Sequence, residues 1–134
     1  MSRVIEIEER VRYSETDQMG VAHNKNYFEW FEIGRTEYCR RQGIPYREIE
    51  IQGFYLVVVE AFCRYRKPLR YDDQFIIRVM LRESTPKKVV FDYALLTKDE
   101  RQPVASGHTI HIVTNKQGEV SSLPEGILDR IQGP

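Results

Sequence analysis

No apolar run in the 134-residue sequence approaches the ~18 residues that would cross a bilayer, which excludes a transmembrane helix. The opening stretch, MSRVIEIEERVRY, alternates polar and apolar residues and lacks the unbroken apolar core of a secretory signal, so a cytoplasmic location is expected. Charge of one sign is also missing. Twenty Lys and Arg balance 20 Asp and Glu, which leaves no global field to draw the protein onto nucleic acid or an anionic membrane. Any anionic partner must be met locally. Cysteine is scarce: Cys39 and Cys63 sit in apolar patterns with no CxxC or neighbouring-histidine spacing, which argues against a disulfide framework or a zinc site and for two buried thiols. There is no phosphate-binding glycine loop and no Ser nucleophile between elbow glycines, and neither GFYLV nor GHTI serves as a dinucleotide fingerprint. The chain is expected to work without metal or cofactor. Its length fits one domain, residues 1–134, because a second core would have too little surface to bury.

What is present is a change of period. Residues 4–12, VIEIEERVR, alternate as a strand with one wet face. Residues 25–42 carry Tyr27, Phe31, Gly34 and Tyr38 at helical spacing, with Phe28, Trp30 and Ile33 widening the stripe. Gly43 and Pro45 end that helix. From Gly53 the period becomes two. FYLVVVEAFCRYR places Tyr55, Val57, Val59, Ala61, Cys63 and Tyr65 on one face, and 74–83, 87–98 and 103–115 repeat the habit between turns. LPEGILDRI is a short terminal helix. One strand, a long helix and four consecutive strands read as α+β, an antiparallel sheet with a helix on one face. Gly34 inside the helix costs about 1 kcal/mol relative to Ala, and close packing of helix on sheet supplies a reason for it. Exposed sheet edges and a half-covered sheet point to a homo-oligomer.

The loop before the helix, YSETDQMGVAHN, concentrates the chemistry. Gly20 permits a tight turn and Asn24 stands at the expected N-cap, so the first-turn amides form a positive, unsatisfied pocket for an oxyanion. Asp17, just upstream, is either another cap or dipole partner or the carboxylate of a hydrolytic site. In the second case the amides polarise a carbonyl while the carboxylate attacks it or deprotonates water. A thioester suits such a pair, because a thiolate leaves with little acid assistance. His23 is the nearest imidazole and could order a water or assist the leaving group, or simply complete the helix entry.

RYSETDQMGVAHNKNYFEWFEIGRTEYCRRQG, followed by VEAFCRYRKPLRYDD and ASGHTIHIVTN, resembles the acyl-CoA thioesterases of the 4-hydroxybenzoyl-CoA thioesterase type, in the hotdog-fold superfamily, over roughly residues 8–115. The signature positions are Tyr13, Thr16, Asp17, Gly20, Asn26 and Tyr27. The resemblance implies a five-stranded antiparallel sheet wrapped round the long helix, dimers joined edge to edge, and a tetramer of two dimers. It implies an acyl-CoA substrate, Asp17 as nucleophile or general base, and the backbone amide of Asn24 as the polarising donor. Relatives commonly carry other residues at the positions of His23 and Asn24, which touches side-chain roles there and not the amide.

Other assignments follow from the same reading. Tyr27 and Phe31 are expected to line the acyl pocket, and Gly20 to shape its approach. Glu60 interrupts an apolar strand and should pair with Arg35 or face the pocket across a dimer. His108 and His111 lie on opposite faces of the last strand and are assigned structural roles. Two basic clusters could meet the phosphates of coenzyme A: Arg64, Arg66, Lys67 and Arg70, or Arg82, Lys87 and Lys88 beside the STP turn. The second is chosen on the resemblance. The rival to hydrolysis is a non-hydrolytic acyl-thioester binding or regulatory module in which Asp17 only caps; a dehydratase is disfavoured because residues 25–42 hold no histidine.

Overall fold

The computed structural model describes residues 3–133. Five strands, β1 (Val4–Arg10), β2 (Tyr55–Tyr65), β3 (Gln74–Thr85), β4 (Lys88–Thr97) and β5 (Pro103–Thr114), accompany three helices, α1 (Lys25–Arg41), α2 (Tyr46–Ile51) and α3 (Glu125–Gln132). The strands form one antiparallel sheet in the order β1-β3-β4-β5-β2. With α1 packed on one face of the sheet, this is the expected α+β hotdog arrangement. Among the described residues no helix is long and apolar enough to cross a membrane.

The helix sits where its aromatic stripe dictates. Trp30, Phe31, Tyr38 and Cys39 are buried against Phe75, Ile77, Val79, Phe91 and Tyr93. Phe31 stacks flat on Tyr93, ring centroids 4.3 Å apart. A methyl group added at Gly34 would come within 2.5 Å of Val79 Cγ2 and 3.0 Å of Ile77 Cγ2, so glycine is what lets the helix axis approach the sheet. Gly43 has φ 78°, the left-handed turn that ends the helix. The helix enters at the end of the sheet where Gln74, Pro103 and Tyr65 lie: Trp30 contacts Phe75 and Tyr27 contacts Tyr65. At the far end Tyr38 Oη donates to Ile131 O of α3 at 2.7 Å.

Two elements differ from the periodicity reading. α2 goes unsignalled because six residues hold too little pattern; Pro45, already at φ −58°, starts it, and Ile44 and Ile49 anchor it in the core. In β2 the pairing with β5 slips between Val58 and Glu60, a bulge that leaves Val59 out of register. The strand therefore changes phase. Leu56 and Val58 oppose Val113 and the buried His111 before the bulge, while Ala61, Cys63 and Tyr65 oppose Thr109, Gly107 and Ala105 after it. The single apolar face expected from Tyr55 to Tyr65 is split. β2 is also an edge strand with Val57, Val58, Val59 and Phe62 all exposed, Val59 at 58%.

Candidate active site at the entry of the long helix

The loop from β1 to α1 is held by Glu15. Its carboxylate accepts from Arg12 N at 2.8 Å and from Trp30 Nε1 at 3.1 Å. Its carbonyl accepts from His23 N at 2.8 Å and from Asn26 Nδ2 at 2.7 Å. One residue thus ties the start of the loop, its end and the first two turns of α1 together. Asn26 is itself buried and also donates to His23 O at 3.1 Å. Thr16 Oγ1 donates to Tyr13 O at 2.7 Å, and the ring of Tyr13, 78% exposed, meets Tyr71 edge-on.

Asp17 lies at the tip of this scaffold. Its Oδ1 accepts from Met19 N at 2.9 Å and Val21 N at 3.3 Å, and its backbone exchanges bonds with Val21 and Gly20. Gly20, at φ 75°, makes the turn possible. The second carboxylate oxygen takes no hydrogen bond among the described residues, and the side chain is exposed. Asp17 therefore caps its own turn with one oxygen and presents the other outward.

The helix entry corrects one expectation. Asn24 has helical angles, φ −59° and ψ −28°, and its side chain makes no cap bond. His23 takes that task instead, its Nδ1 accepting from Lys25 N at 3.2 Å. Asn26 N and Tyr27 N are taken by the carbonyls of His23 and Asn24. The expected row of free amides thus narrows to that of Asn24, which has no acceptor among the described residues.

Asn24 borders a cavity of about 310 Å³ that is also lined by Val21, Ala22, Tyr27, Tyr65, Arg66, Lys67 and Pro68. Tyr27 is where it was expected. Phe31 is not: it is fully buried in the core and borders no part of this cavity, since its ring is already covered by Tyr93. Asp17 is not in the wall either, but its loop is, through Val21 and Ala22. Tyr65 was missed from sequence. Its hydroxyl donates to Asn24 O at 3.4 Å, its ring meets Tyr27 edge-on at 4.8 Å, and burial, then the Cys63 thiol, push its phenol up to about 12. The signal was its place on the inward set of β2, next to the helix entry.

Glu60 does not reach Arg35. The bulge turns it to the outer face of the sheet, where it pairs with His108 Nε2 at 2.6 Å. Arg35 instead lies beneath the helix among Tyr46, Tyr93 and His111. Of the chosen phosphate cluster, Arg82 is engaged by Asp92 (Nε to Oδ2, 2.9 Å) and Lys88 faces Glu83 at 3.7 Å; among the described residues Lys87 makes no ion pair. Cys39 is buried, with its thiol pushed up to about 12, and Cys63 is half-buried. Among the described residues no three His, Cys, Asp or Glu side chains converge as metal ligands.

Comparison with known proteins gives the family. The model of the thioesterase-like superfamily matches residues 11–131. A protein of Aquifex aeolicus described as hypothetical superposes with TM-score 0.88 at 33% identity, over 96% of this chain and 99% of that one. A DHNA-CoA thioesterase from Staphylococcus aureus superposes with TM-score 0.84 at 25% identity, over 89% of this chain and 80% of that one. An acyl-acyl carrier protein thioesterase of Arabidopsis thaliana chloroplasts is 26% identical over 95% of this chain and 67% of its own length. The fold, the pre-helix loop and the matched span together make this chain a member of the thioesterase-like superfamily, with the hotdog fold.

Proposed function

We propose that the protein hydrolyses an acyl-CoA to a carboxylic acid and free coenzyme A, with Asp17 as nucleophile or general base and the Asn24 amide as the oxyanion donor. Thioester hydrolysis is the chemistry of its relatives of named activity. The observation that carries the reading for this chain is Asn24, whose amide has no acceptor among the described residues, bordering a cavity that Val21 and Ala22 of the Asp17 loop also line. An N–H fixed at the positive end of α1 stabilises charge that develops on a thioester oxygen and needs no reorganisation to do so. Asp17 then has two routes. Its free oxygen attacks the carbonyl carbon, the C–S bond breaks to release thiolate, and water hydrolyses the resulting anhydride; or it takes a proton from the water that attacks.

Two exposed features complete the proposal. β2 offers an edge of unpaired backbone flanked by exposed valines, and a second copy pairing along it would cover that edge and close the open side of the cleft. The expected assembly is a dimer, or a tetramer of two dimers. The setting is the cytoplasm, with no cofactor beyond the coenzyme A of the substrate. Gly20 shapes the approach of substrate, while Tyr27 and Tyr65 border the reacting group. The test is thiol release from short, medium, long and aromatic acyl-CoAs. Turnover of at least one class is expected; saturable binding of all classes without thiol release would make the protein a binding module and overturn the assignment.

A further inference from the structure

Tyr65 shares the Asn24 cavity and carries a hydroxyl proton that the fold hardly uses. The residue closes β2 opposite Ala105, and the bulge at Val59 is what brings it inward. Before the bulge Leu56 and Val58 lie on the helix side, opposite Val113 and His111. Had the strand run on in that phase, Tyr65 would stand on the outer face of the sheet. The slip turns Ala61, Cys63 and Tyr65 to the helix side instead. Tyr65 thereby reaches the cavity wall, its ring edge-on to Tyr27 and its hydroxyl donating to Asn24 O at 3.4 Å. That bond is at the long limit for a hydrogen bond, and Asn24 O already accepts from Tyr27 N at 3.2 Å.

One amide alone is a thin oxyanion hole. The oxygen of a tetrahedral intermediate accepts more than one hydrogen bond, and Asn24 N is a single donor. Two hydroxyls stand in the cavity wall. That of Tyr27 is buried against the Leu69 backbone, whereas Tyr65 is half-exposed. Burial, then the Cys63 thiol, push the Tyr65 phenol up to about 12, so it keeps its proton near neutral pH. Asn24 N and Asn24 O are three bonds apart, roughly 3.6 Å, which puts Tyr65 Oη within roughly 7 Å of the amide nitrogen. An oxygen accepting from both donors bridges about 5 to 6 Å. A half-exposed ring held by one long bond can close that difference on binding, since catalytic hydrogen bonds commonly tighten only around substrate.

We propose that the Tyr65 hydroxyl is the second oxyanion donor, acting with the Asn24 amide on the thioester oxygen. The inference rests on the thioesterase reading and adds a catalytic residue to it. As the Asp17 carboxylate or a water forms its bond to the carbonyl carbon, the π pair of C=O moves onto oxygen, and both donors hold that charge more strongly than they hold the substrate carbonyl. When the pair returns to re-form C=O, the C–S bond breaks and sulfur leaves with its electrons as thiolate. Tyr65 donates throughout and transfers no proton, so no base is needed to restore it.

Tyr65→Phe keeps the ring that meets Tyr27 and removes only the hydroxyl. Thiol-release kinetics should show kcat lowered by about 100-fold with KM within about threefold of wild type, and urea unfolding should show little change in stability. A second readout needs no turnover: the infrared band of an isotope-labelled thioester carbonyl in acetyl-, octanoyl- and benzoyl-CoA bound to Asp17→Asn. The band should fall in frequency on binding, and adding Tyr65→Phe to that background should move it back toward its position in free substrate. A Tyr65→Phe protein with near-wild-type kcat, a loss confined to KM, or a carbonyl band that the substitution leaves in place would each overturn the proposal. A wild type that releases no thiol sinks the hydrolytic reading, while the carbonyl band of the bound acyl-CoA still decides whether Tyr65 donates to it.

Discussion

Two polar regions touch the long helix, one at its entry and one beneath its middle, and they are built on opposite plans. At the entry, Glu15 satisfies the donors around it and leaves two groups turned outward, the Asn24 amide and one oxygen of Asp17. Beneath the middle, Tyr93 Oη, Thr109 Oγ1 and His111 Nε2 are linked at 2.6 and 2.8 Å with the Arg35 guanidinium beside them. Burial, then the Arg35 charge, hold His111 down at about 4, so it stays neutral. Tyr46 Oη and Arg35 Nε are buried there beside one another, without a well-aligned hydrogen bond among the described residues. The inner network organises the core; the outer one has hydrogen-bonding capacity that a substrate can reach. Polarity against a helix marks a site only when some of it is free and accessible.

The contrast can be broken at either region. The largest effect is expected from Asn24→Pro, which deletes the amide at a position whose φ of −59° proline already prefers. Loss of one oxyanion donor should lower kcat by about 100- to 1,000-fold, whereas Asn24→Ala, which keeps the amide, should stay within a few-fold of wild type. Thiol-release kinetics of the two variants side by side give the answer, and equal rates would remove the amide from the mechanism.

At the inner region the sensitivity should be in stability. The folded protein holds His111 near 4 against 6.5 for the free side chain, so in that window the unfolded chain binds a proton that the folded one refuses. The neutral histidine's contribution is complete above pH 6.5 and is lost as pH falls toward 4, about 3 kcal/mol in all. Urea unfolding at pH 7 and 4.5 should show a smaller pH difference for His111→Asn than for wild type, with turnover at pH 7 little changed. An unaltered pH difference would contradict the assignment. Glu15→Ala should show the smallest change in each readout but affect both, since it unties the carboxylate from Trp30 and Arg12 N: about 1–3 kcal/mol of stability, and a rate loss of about tenfold as Asp17 loses its footing.

Much of this was legible before the structure. The aromatic stripe of α1, the turn at Gly20, the close approach at Gly34 and the existence of β3, β4 and β5 follow from local patterns, although β3 and β4 each bury three consecutive residues and slip register once. What could not be read depends on contacts between distant residues. Nothing local announces that β2 slips at Val59, yet the slip sends Glu60 to His108 instead of Arg35. Which basic cluster is neutralised is likewise a matter of register, since Asp92 meets Arg82 only because β3 and β4 pair as they do. Asn24 illustrates a finer limit. A sequence offers Asn as a side-chain cap, but a histidine nitrogen one residue earlier can fill the place and leave the asparagine its amide alone.

The central claim is that Asp17 performs the chemistry and does not merely cap its turn. Asn keeps the side-chain oxygen that Met19 N and Val21 N use, so Asp17→Asn preserves the turn while removing the nucleophile or base. Thiol release and acyl-CoA binding, measured together on this variant and wild type, separate the two roles. The account predicts a kcat lowered by about 100-fold or more with binding retained; near-wild-type turnover in the folded variant would contradict it.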